Sequence, residues 1–361
     1  MTPSQNTAAP VHPLAAEEFT PSGTYLATAK GGLLPARAAA ALRDAATEYG
    51  THGTMGRDYT APAEASRAAF ARLLGLPAER VAVTSSVAVT AALVAGALEP
   101  GAEVLVAQDD FSSLVTPFAV RPDIIVRSAP LESLADAVGP GTALVAVGAV
   151  QALDGRIADL PAITAAARAH SALTFLDVTQ AAGWLPLADC GADVVVCGAY
   201  KWLMCPRGTN FLAFSADFGE RLPWPVPRHA GWVAAADPGA SNYGPVTTFA
   251  AAARRYDEPH SHITLTGAAR SLALVEEIGI PAIHAHDTAL AERYRSGLAE
   301  LGLSPVAAPG SAIVSVPGLA DAEPRLAGAG VAVSARAGHL RASFHLYNTA
   351  ADVDRLLELL A

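Results

Sequence analysis

Between Val81 and Phe214 the sequence alternates short apolar runs with helix-forming stretches, and no other feature limits the possible folds as strongly. Val81–Thr84, Glu103–Ala107, Ile124–Val126, Ala143–Val147, Leu173–Asp177, Val194–Gly198 and Thr209–Phe214 each read as a strand. Most are apolar at successive positions, the mark of a strand buried on both faces. An alanine-rich helix follows the first run and reaches Leu98, and Ala158–His170 reads as another between two strands. Apolar strands alternating with helices imply a parallel sheet covered on both sides, an α/β fold. Helices over Leu34–Ala46 and Pro62–Leu74 precede the series. After Arg255 the texture changes. Helices at Thr266–Glu277 and Ala285–Leu301, strands at Ile313–Val316, Val331–Ser334 and Leu340–Phe344, and a last helix at Ala350–Leu360 describe a smaller α+β unit. The expected organisation is an unanchored N-terminal arm over 1–22, a large domain over 23–254 whose first helices can pack with the small one, and a small C-terminal domain over 255–361.

Composition removes several functions. A net charge of −10 argues against a nucleic-acid surface, which needs clustered Lys and Arg. Three cysteines, Cys190, Cys197 and Cys205, lack the paired spacing of a zinc site, and an odd count suits a reducing compartment. The start of the chain has neither the basic residues nor the apolar run of a signal peptide, and no stretch reads as a membrane span. The expectation is a cytoplasmic enzyme with a small-molecule substrate, no nucleic-acid or membrane partner, and no metal. A dinucleotide fingerprint, a P-loop and a serine-hydrolase elbow are all missing.

The chain has two lysines, Lys30 and Lys201. A genome rich in G and C explains the preference for Arg, yet Lys201 stands at the end of an apolar strand, between Tyr200 and Trp202. Arg stays protonated, whereas a desolvated Lys can lose its proton and act as a nucleophile. Asp177 ends another apolar strand. In open α/β sheets the ligand crevice lies at the carboxyl ends of the strands. An acid there either caps the next helix or faces a cationic ligand group. The interval from 177 to 201 is about one strand–helix–strand crossover, which places the two side chains on neighbouring strand ends. Pyridoxal-5′-phosphate (PLP) chemistry needs such a pair: a Lys to hold the cofactor as a Schiff base and a carboxylate to keep its pyridine nitrogen protonated. Gln180 is positioned to reach the phenolic oxygen.

These segments resemble the class V aminotransferases, PLP enzymes of fold type I that include cysteine desulfurases, kynureninases, isopenicillin-N-epimerase-like proteins and C–S lyases. The family's D-x-x-[QH] is matched from Asp177 to Gln180. Its S-x-[HY]-K and following P-R-G are matched by Gly198-Ala-Tyr-Lys201 and Pro206-Arg-Gly208. Its phosphate loop resembles Thr84-Ser-Ser-Val87 at a helix start, and its R-V-S-x-x-x-Y-N-T resembles Arg341 to Thr349. The resemblance implies a seven-stranded, mostly parallel sheet in the large domain. It places the PLP phosphate on Ser85, Ser86 and Val87, with Tyr200 in reach. It puts Phe111 against the ring, although that residue also reads as an ordinary core Phe. Arg341 would grip the substrate α-carboxylate, Trp232 would lie near the substrate, and Ser261 or His260 would reach the partner's phosphate in a homodimer with shared active sites. His284 and His286 read as solvated on a surface helix. Cysteine desulfurases of this family use a Cys in the small domain, and this chain has no Cys after Cys205. The reading therefore leans to β-elimination, a C–S lyase on an S-substituted cysteine of the kind found in secondary metabolism. Transamination, or another α-carbon reaction such as epimerisation or decarboxylation-linked deamination, is the alternative. A non-catalytic binding subunit of the same fold is the alternative of another class.

Overall fold

The computed structural model describes residues 12–53, 60–219, 225–259 and 261–361. In chain order its elements are β1 (Thr24–Tyr25), α1 (Ala36–His52), α2 (Thr60–Leu73), β2 (Val81–Thr84), α3 (Val87–Ala97), β3 (Glu103–Ala107), α4 (Ser112–Ala119), β4 (Ile125–Ala129), β5 (Thr142–Gly148), α5 (Leu160–Ala169), β6 (Leu173–Asp177), β7 (Val194–Gly198) and β8 (Asn210–Phe214). They continue with α6 (His262–Ile278), α7 (Ile280–Glu300), β9 (Ile313–Pro317), α8 (Glu323–Gly328), β10 (Val331–Ala332), β11 (Ser334–Arg336), β12 (His339–Ser343) and α9 (Ala350–Leu360).

The seven apolar runs form one sheet in the order β2-β8-β7-β6-β5-β3-β4. Strand β8 runs antiparallel to both neighbours, and every other adjacent pair is parallel. Successive side chains point to opposite faces. Leu105, Val145, Leu176 and Val195 accordingly join one apolar cluster, while Val104, Leu144, Phe175 and Val194 join another. This explains why β2, β7 and β8 are buried at every position and why the pattern carries no alternation of polar residues.

Helix boundaries follow local chemistry. Helix α1 begins after Pro35, whose ring presets the backbone, and runs past the expected end until Gly53 takes a φ of 61°. Helix α9 opens on a capping box in which Thr349 and Asp352 satisfy each other's backbone N–H groups. The expected crossover helix between β6 and β7 is absent. The chain instead makes a series of turns, and Gly183 and Gly191 take positive φ where a helix would need negative values. A side chain at Gly183 would also strike the Trp202 carbonyl, 2.5 Å from its Cβ.

The C-terminal region forms the antiparallel sheet β11-β12-β9. The single strand expected over Val331–Ser334 splits in two, because Val331–Ala332 pairs in parallel with Thr24–Tyr25 instead. The N-terminal stretch is thus tied to this region. Leu14 N–H donates to Leu346 O at 2.9 Å, the Phe19 and Tyr347 rings lie 5.0 Å apart, and Leu26 joins the cluster of Leu290, Tyr294, Val314 and Leu340. The expected unanchored arm is therefore packed from Leu14 onward; residues 1–11 lie outside the described residues. A buried ion pair ties α2 to β2 and to the segment that leads into α6. Arg67 Nη2 lies 2.7 Å from Asp257 Oδ2, and Asp257 Oδ1 accepts from Val83 N–H at 2.9 Å. Among the described residues no helix is long and apolar enough to cross a membrane.

Candidate active site

Parallel strands leave their carboxyl ends on one edge of a sheet, and a crevice opens there. In this chain it is a cavity of about 290 Å³, walled by the ends of β3, β5, β6 and β7 and by the start of α3. Lys201, Asp177, Gln180, Ser85, Ser86, Val87, Phe111 and Tyr200 all line it.

Lys201 follows β7 by three residues and is buried. Its backbone is held close to the N-terminal segment: Gly32 N–H donates to Tyr200 O at 3.0 Å, and a Cβ at Gly32 would overlap the Lys201 carbonyl. Lys201 Nζ lies 5.3 Å from the Phe111 ring centroid and 5.8 Å from that of Tyr200. Burial drives its pKa down to about 8; Asp177 opposes that shift, and the charges of Arg341 and Arg207 add to it. The amine is therefore much closer to its neutral, nucleophilic form than an exposed lysine.

Asp177 ends β6 and is also buried. Its Oδ1 accepts from Thr179 N–H at 2.8 Å, and the Thr179 hydroxyl in turn accepts from Gly198 N–H at 2.8 Å, so one threonine fastens the acid to the end of β7. Burial raises the carboxyl pKa, against hydrogen bonds from Thr179 and the charge of Lys201. A carboxyl held up in this way gains from a cationic N–H partner placed in the cavity.

Gln180 is fixed at both ends of its amide. Its Nε2 donates to Ala29 O at 3.0 Å, and its Oε1 accepts from Trp202 Nε1 at 2.9 Å. An amide nitrogen has two N–H groups, so one donor remains for a ligand. At the start of α3, Ser86 caps by accepting from Val89 N–H at 3.3 Å. The N–H groups ahead of Val89 keep the donor character and the positive dipole end that suit a phosphate. Beside them Thr209 Oγ1 is buried without a hydrogen-bond partner among the described residues.

Arg341, on β12, is buried rather than exposed on a two-sided sheet. One of its Nη groups donates to the carbonyl of Ala152, a residue of the cavity wall. Its Nε has no partner, and no carboxylate pairs with it among the described residues. Burial lowers its pKa to about 10, with Arg336 adding repulsion. Trp232 and Ser261 are not brought to the cavity. Trp232 sits in a helical turn and is 44% exposed, and Ser261 caps α6 by accepting from Thr264 N–H at 3.3 Å. His260 lies outside the described residues.

Two groups were missed in the sequence. Asp110 lines the cavity and accepts from the N–H groups of Gly148 (2.8 Å) and Phe111 (2.7 Å) and from Gln151 Nε2 (3.2 Å). It follows β3 closely, and the rule that singled out Asp177 at a strand end applies equally to it. Arg207 stacks on Tyr200, its Cζ 4.2 Å from the ring centroid. The histidine reading needs correction. His286 is buried, and His284 is half-buried with its ring stacked 5.9 Å from Trp184, because that face of α7 packs inward.

A model of the family described as aminotransferase class-V matches residues 33–356. The chain belongs to the class V aminotransferase family. It is a PLP-dependent enzyme, and the lysine, the strand-end acid and the donor-rich helix start fit that cofactor. An "uncharacterized aminotransferase YcbU" of Bacillus subtilis is 25% identical over 94% of both chains. A kynureninase of Salinispora tropica is 32% identical over 48% of this chain and 41% of its own length. The fold of the cystine C–S lyase C-DES, solved with its product cysteine persulfide, superposes with a TM-score of 0.84 at 21% identity, covering 94% of this chain and 97% of that one. A cysteine desulfurase from Thermococcus onnurineus has a TM-score of 0.80 at 22% identity, covering 94% of each chain.

Proposed function

We propose that this class V enzyme is a C–S lyase that performs β-elimination on an S-substituted cysteine. The observation that carries the reading is that Lys201 and Asp177 share a cavity that no thiol lines, with Arg341 set against its wall at the Ala152 carbonyl and without an anion among the described residues. Cys197 and Cys205 are buried with their thiols pushed up by burial, and Cys190 lies away from the cavity. A sulfur group leaving the substrate has no protein thiolate to accept it, so it departs as a free product.

In this reading Lys201 holds PLP covalently, Asp177 faces the ring nitrogen, and Gln180 donates its second N–H to the phenolic oxygen. Ser85, Ser86, Val87 and Tyr200 hold the phosphate, and Phe111 covers a ring face. When bound, PLP supplies the electron sink that makes a substrate's α-carbon acidic. Once the substrate's amine had taken its place on the cofactor, the freed Lys201 Nζ would take the α-proton and return it to the departing sulfur. Arg341 grips the carboxylate through its planar fork and so fixes which α-bond faces the lysine. The half-exposed Phe111 and the walls formed by Val150 and Ala152 favour an apolar sulfur substituent.

Two parts of this proposal concern organisation. The large unit spans 23–254 and the small unit 255–361, with β1 joined to the small unit's sheet region. The active form is a homodimer in which Ser261 and Trp232 approach the partner's cavity. In the single chain Phe111 is 46% exposed, Trp232 44% and Tyr243 96%, which leaves apolar surface for a partner. Such a dimer buries over ~2,000 Å²; light scattering showing a stable, active monomer overturns it. The thiols, all free, suit a reducing cytoplasm.

The test of the reaction is the product mix on a panel of S-substituted cysteines. Elimination yields pyruvate, ammonia and a thiol. A second reading, transamination, is favoured by the likeness to a protein named an aminotransferase over 94% of the chain. It yields the substrate's keto acid only when an acceptor keto acid is consumed and a second amino acid is formed, and that result refutes elimination.

A further inference from the structure

A buried polar network outside the cavity reaches it through Trp202. Asp287, on α7, and His345, just after β12, have side chains with no exposure at all, and His345 Nδ1 lies 2.8 Å from Asp287 Oδ2. The other ring nitrogen, Nε2, lies 2.9 Å from the carbonyl oxygen of Trp202, the residue after Lys201. The Trp202 indole meets the His345 ring edge-on at 5.3 Å between centroids, and its Nε1 donates to Gln180 Oε1 at 2.9 Å. His345 is itself held from behind, its backbone N–H donating to Asn348 Oδ1 at 2.9 Å.

Proton bookkeeping makes this arrangement specific. A carbonyl oxygen only accepts, so Nε2 must carry a proton. One further proton then lies between Nδ1 and Oδ2. Either the imidazole is protonated beside a carboxylate, or a neutral imidazole accepts from a carboxylic acid. In both cases the bond to Trp202 survives. Without Asp287, a neutral His345 is free to place its one proton on Nδ1 and turn a lone pair toward the carbonyl. His286, the sequence neighbour of Asp287, does not compete for the proton: burial, with repulsion from His345, lowers its pKa to about 4.

We propose that Asp287 and His345 are a positioning pair for the active site. They fix the backbone of the lysine loop at Trp202 and, through its indole, the orientation of the Gln180 amide. With Oε1 committed to the indole, the Gln180 nitrogen is turned toward the cavity, where its free N–H is needed. Neither residue touches substrate or cofactor; they act through Trp202. The inference rests on the reading that Lys201 and Gln180 hold PLP.

The test uses the PLP-loaded enzyme and follows the pH midpoint of the cofactor's absorption band without substrate. Gln180→Leu calibrates the shift produced when the amide donor is lost. His345→Phe, Asp287→Ala and Trp202→Phe are expected to move the midpoint in the same direction by at least about half a pH unit, a fraction of what one hydrogen bond to an ionising group produces. Asp287→Asn is expected to restore most of the wild-type midpoint, because its amide can donate to Nδ1 and keep the proton on Nε2. Loss should fall on kcat more than on KM. If Gln180→Leu shifts the band but His345→Phe and Trp202→Phe only lower the melting temperature, the positioning role is refuted while the PLP assignment stands. Should the histidine variants fail to fold, Trp202→Phe decides the indole arm by the same readout. A wild-type protein with no PLP band refutes the cofactor reading instead. The pair is then judged by ¹⁵N-histidine spectra, in which His345 must keep its proton on Nε2; an Nδ1–H tautomer overturns it.

Discussion

The depressed pKa of Lys201 makes a prediction about how the apoprotein captures its cofactor. Only the neutral amine attacks an aldehyde. At an ordinary lysine pKa of 10.5, about one amine in three thousand is neutral at pH 7; at about 8, roughly one in ten is. Burial of the side chain among the walls of the cavity thus raises the reactive fraction by roughly 300-fold. The perturbation is pH, and the assay is stopped-flow mixing of apoprotein with PLP while the absorption of the attached cofactor grows. Below about pH 8 the rate constant should rise roughly tenfold per unit, and above it should level off. Two variants displace the bend in opposite directions. Arg341→Ala removes a repelling cation and moves it up, while Asp177→Asn removes an attracting anion and moves it down. The stability sign runs with the same shift. Between about 8 and 10.5 the unfolded chain binds a proton that the native amine does not, so apoprotein stability rises with pH across that window, and the penalty is constant below it. A capture rate that climbs without a bend through pH 10, or a Lys201→Ala protein that develops the same band, refutes the reasoning.

Three other outcomes are expected. Asp177→Ala should still take up PLP but lose at least ~10²-fold in turnover, the scale on which preorganised charge acts; an unimpaired variant would mean that another acid, such as Asp110, does this work. Arg341→Ala should raise KM for amino acids strongly and leave the cofactor spectrum unchanged, with Arg341→Lys intermediate because it keeps the charge and loses the fork; an unchanged KM places the carboxylate elsewhere. Asp257→Ala leaves the Val83 N–H without its acceptor and Arg67 with only Glu64 and the Val81 carbonyl, and should cost about 1–3 kcal/mol, read as a lower urea midpoint; a shift near zero would show that the buried pair breaks even.

How much of this was legible depended on whether the information was local. The strands Leu173–Asp177 and Val194–Gly198 appear in the sequence with their observed ends, because a run buried on both faces stands out residue by residue. Lys201 and Asp177 were visible for the same reason: a charged residue closing such a run stands out against its apolar neighbours. The crossover between them was misjudged because its length suits a helix, whereas Gly183 and Gly191 take backbone angles that a spacing argument does not reveal. The split of Val331–Ser334 depends on Thr24–Tyr25, which joins it from the far end of the chain. His345 and Asp287 lie on separate elements, and nothing in either segment alone shows that the other is opposite. Asp110 is different, since its signal was present at the end of β3 beside Asp177's.

The charges around the cavity explain why these residues belong together. Asp177 is buried with its pKa raised, Lys201 is buried with its pKa lowered, and Arg341 is buried without an anion among the described residues; each is in the less comfortable state for its type. Desolvation is the leading cause in all three, so their strain comes from the cavity and not from mutual repulsion alone. A fold that buries three such groups for stability would pair them, as Arg67 is paired with Asp257. Here the cation near Asp177 is Lys201, whose own charge is weakened by burial, and Arg341 meets a carbonyl. A ligand with a protonated ring nitrogen, a carbonyl carbon and a phosphate relieves the acid, the lysine and the donors at the start of α3 together. On the proposed reading, a substrate carboxylate would then relieve Arg341. The two arrivals correct different charges, which is why loss of Arg341 should register in substrate binding and loss of Asp177 in turnover.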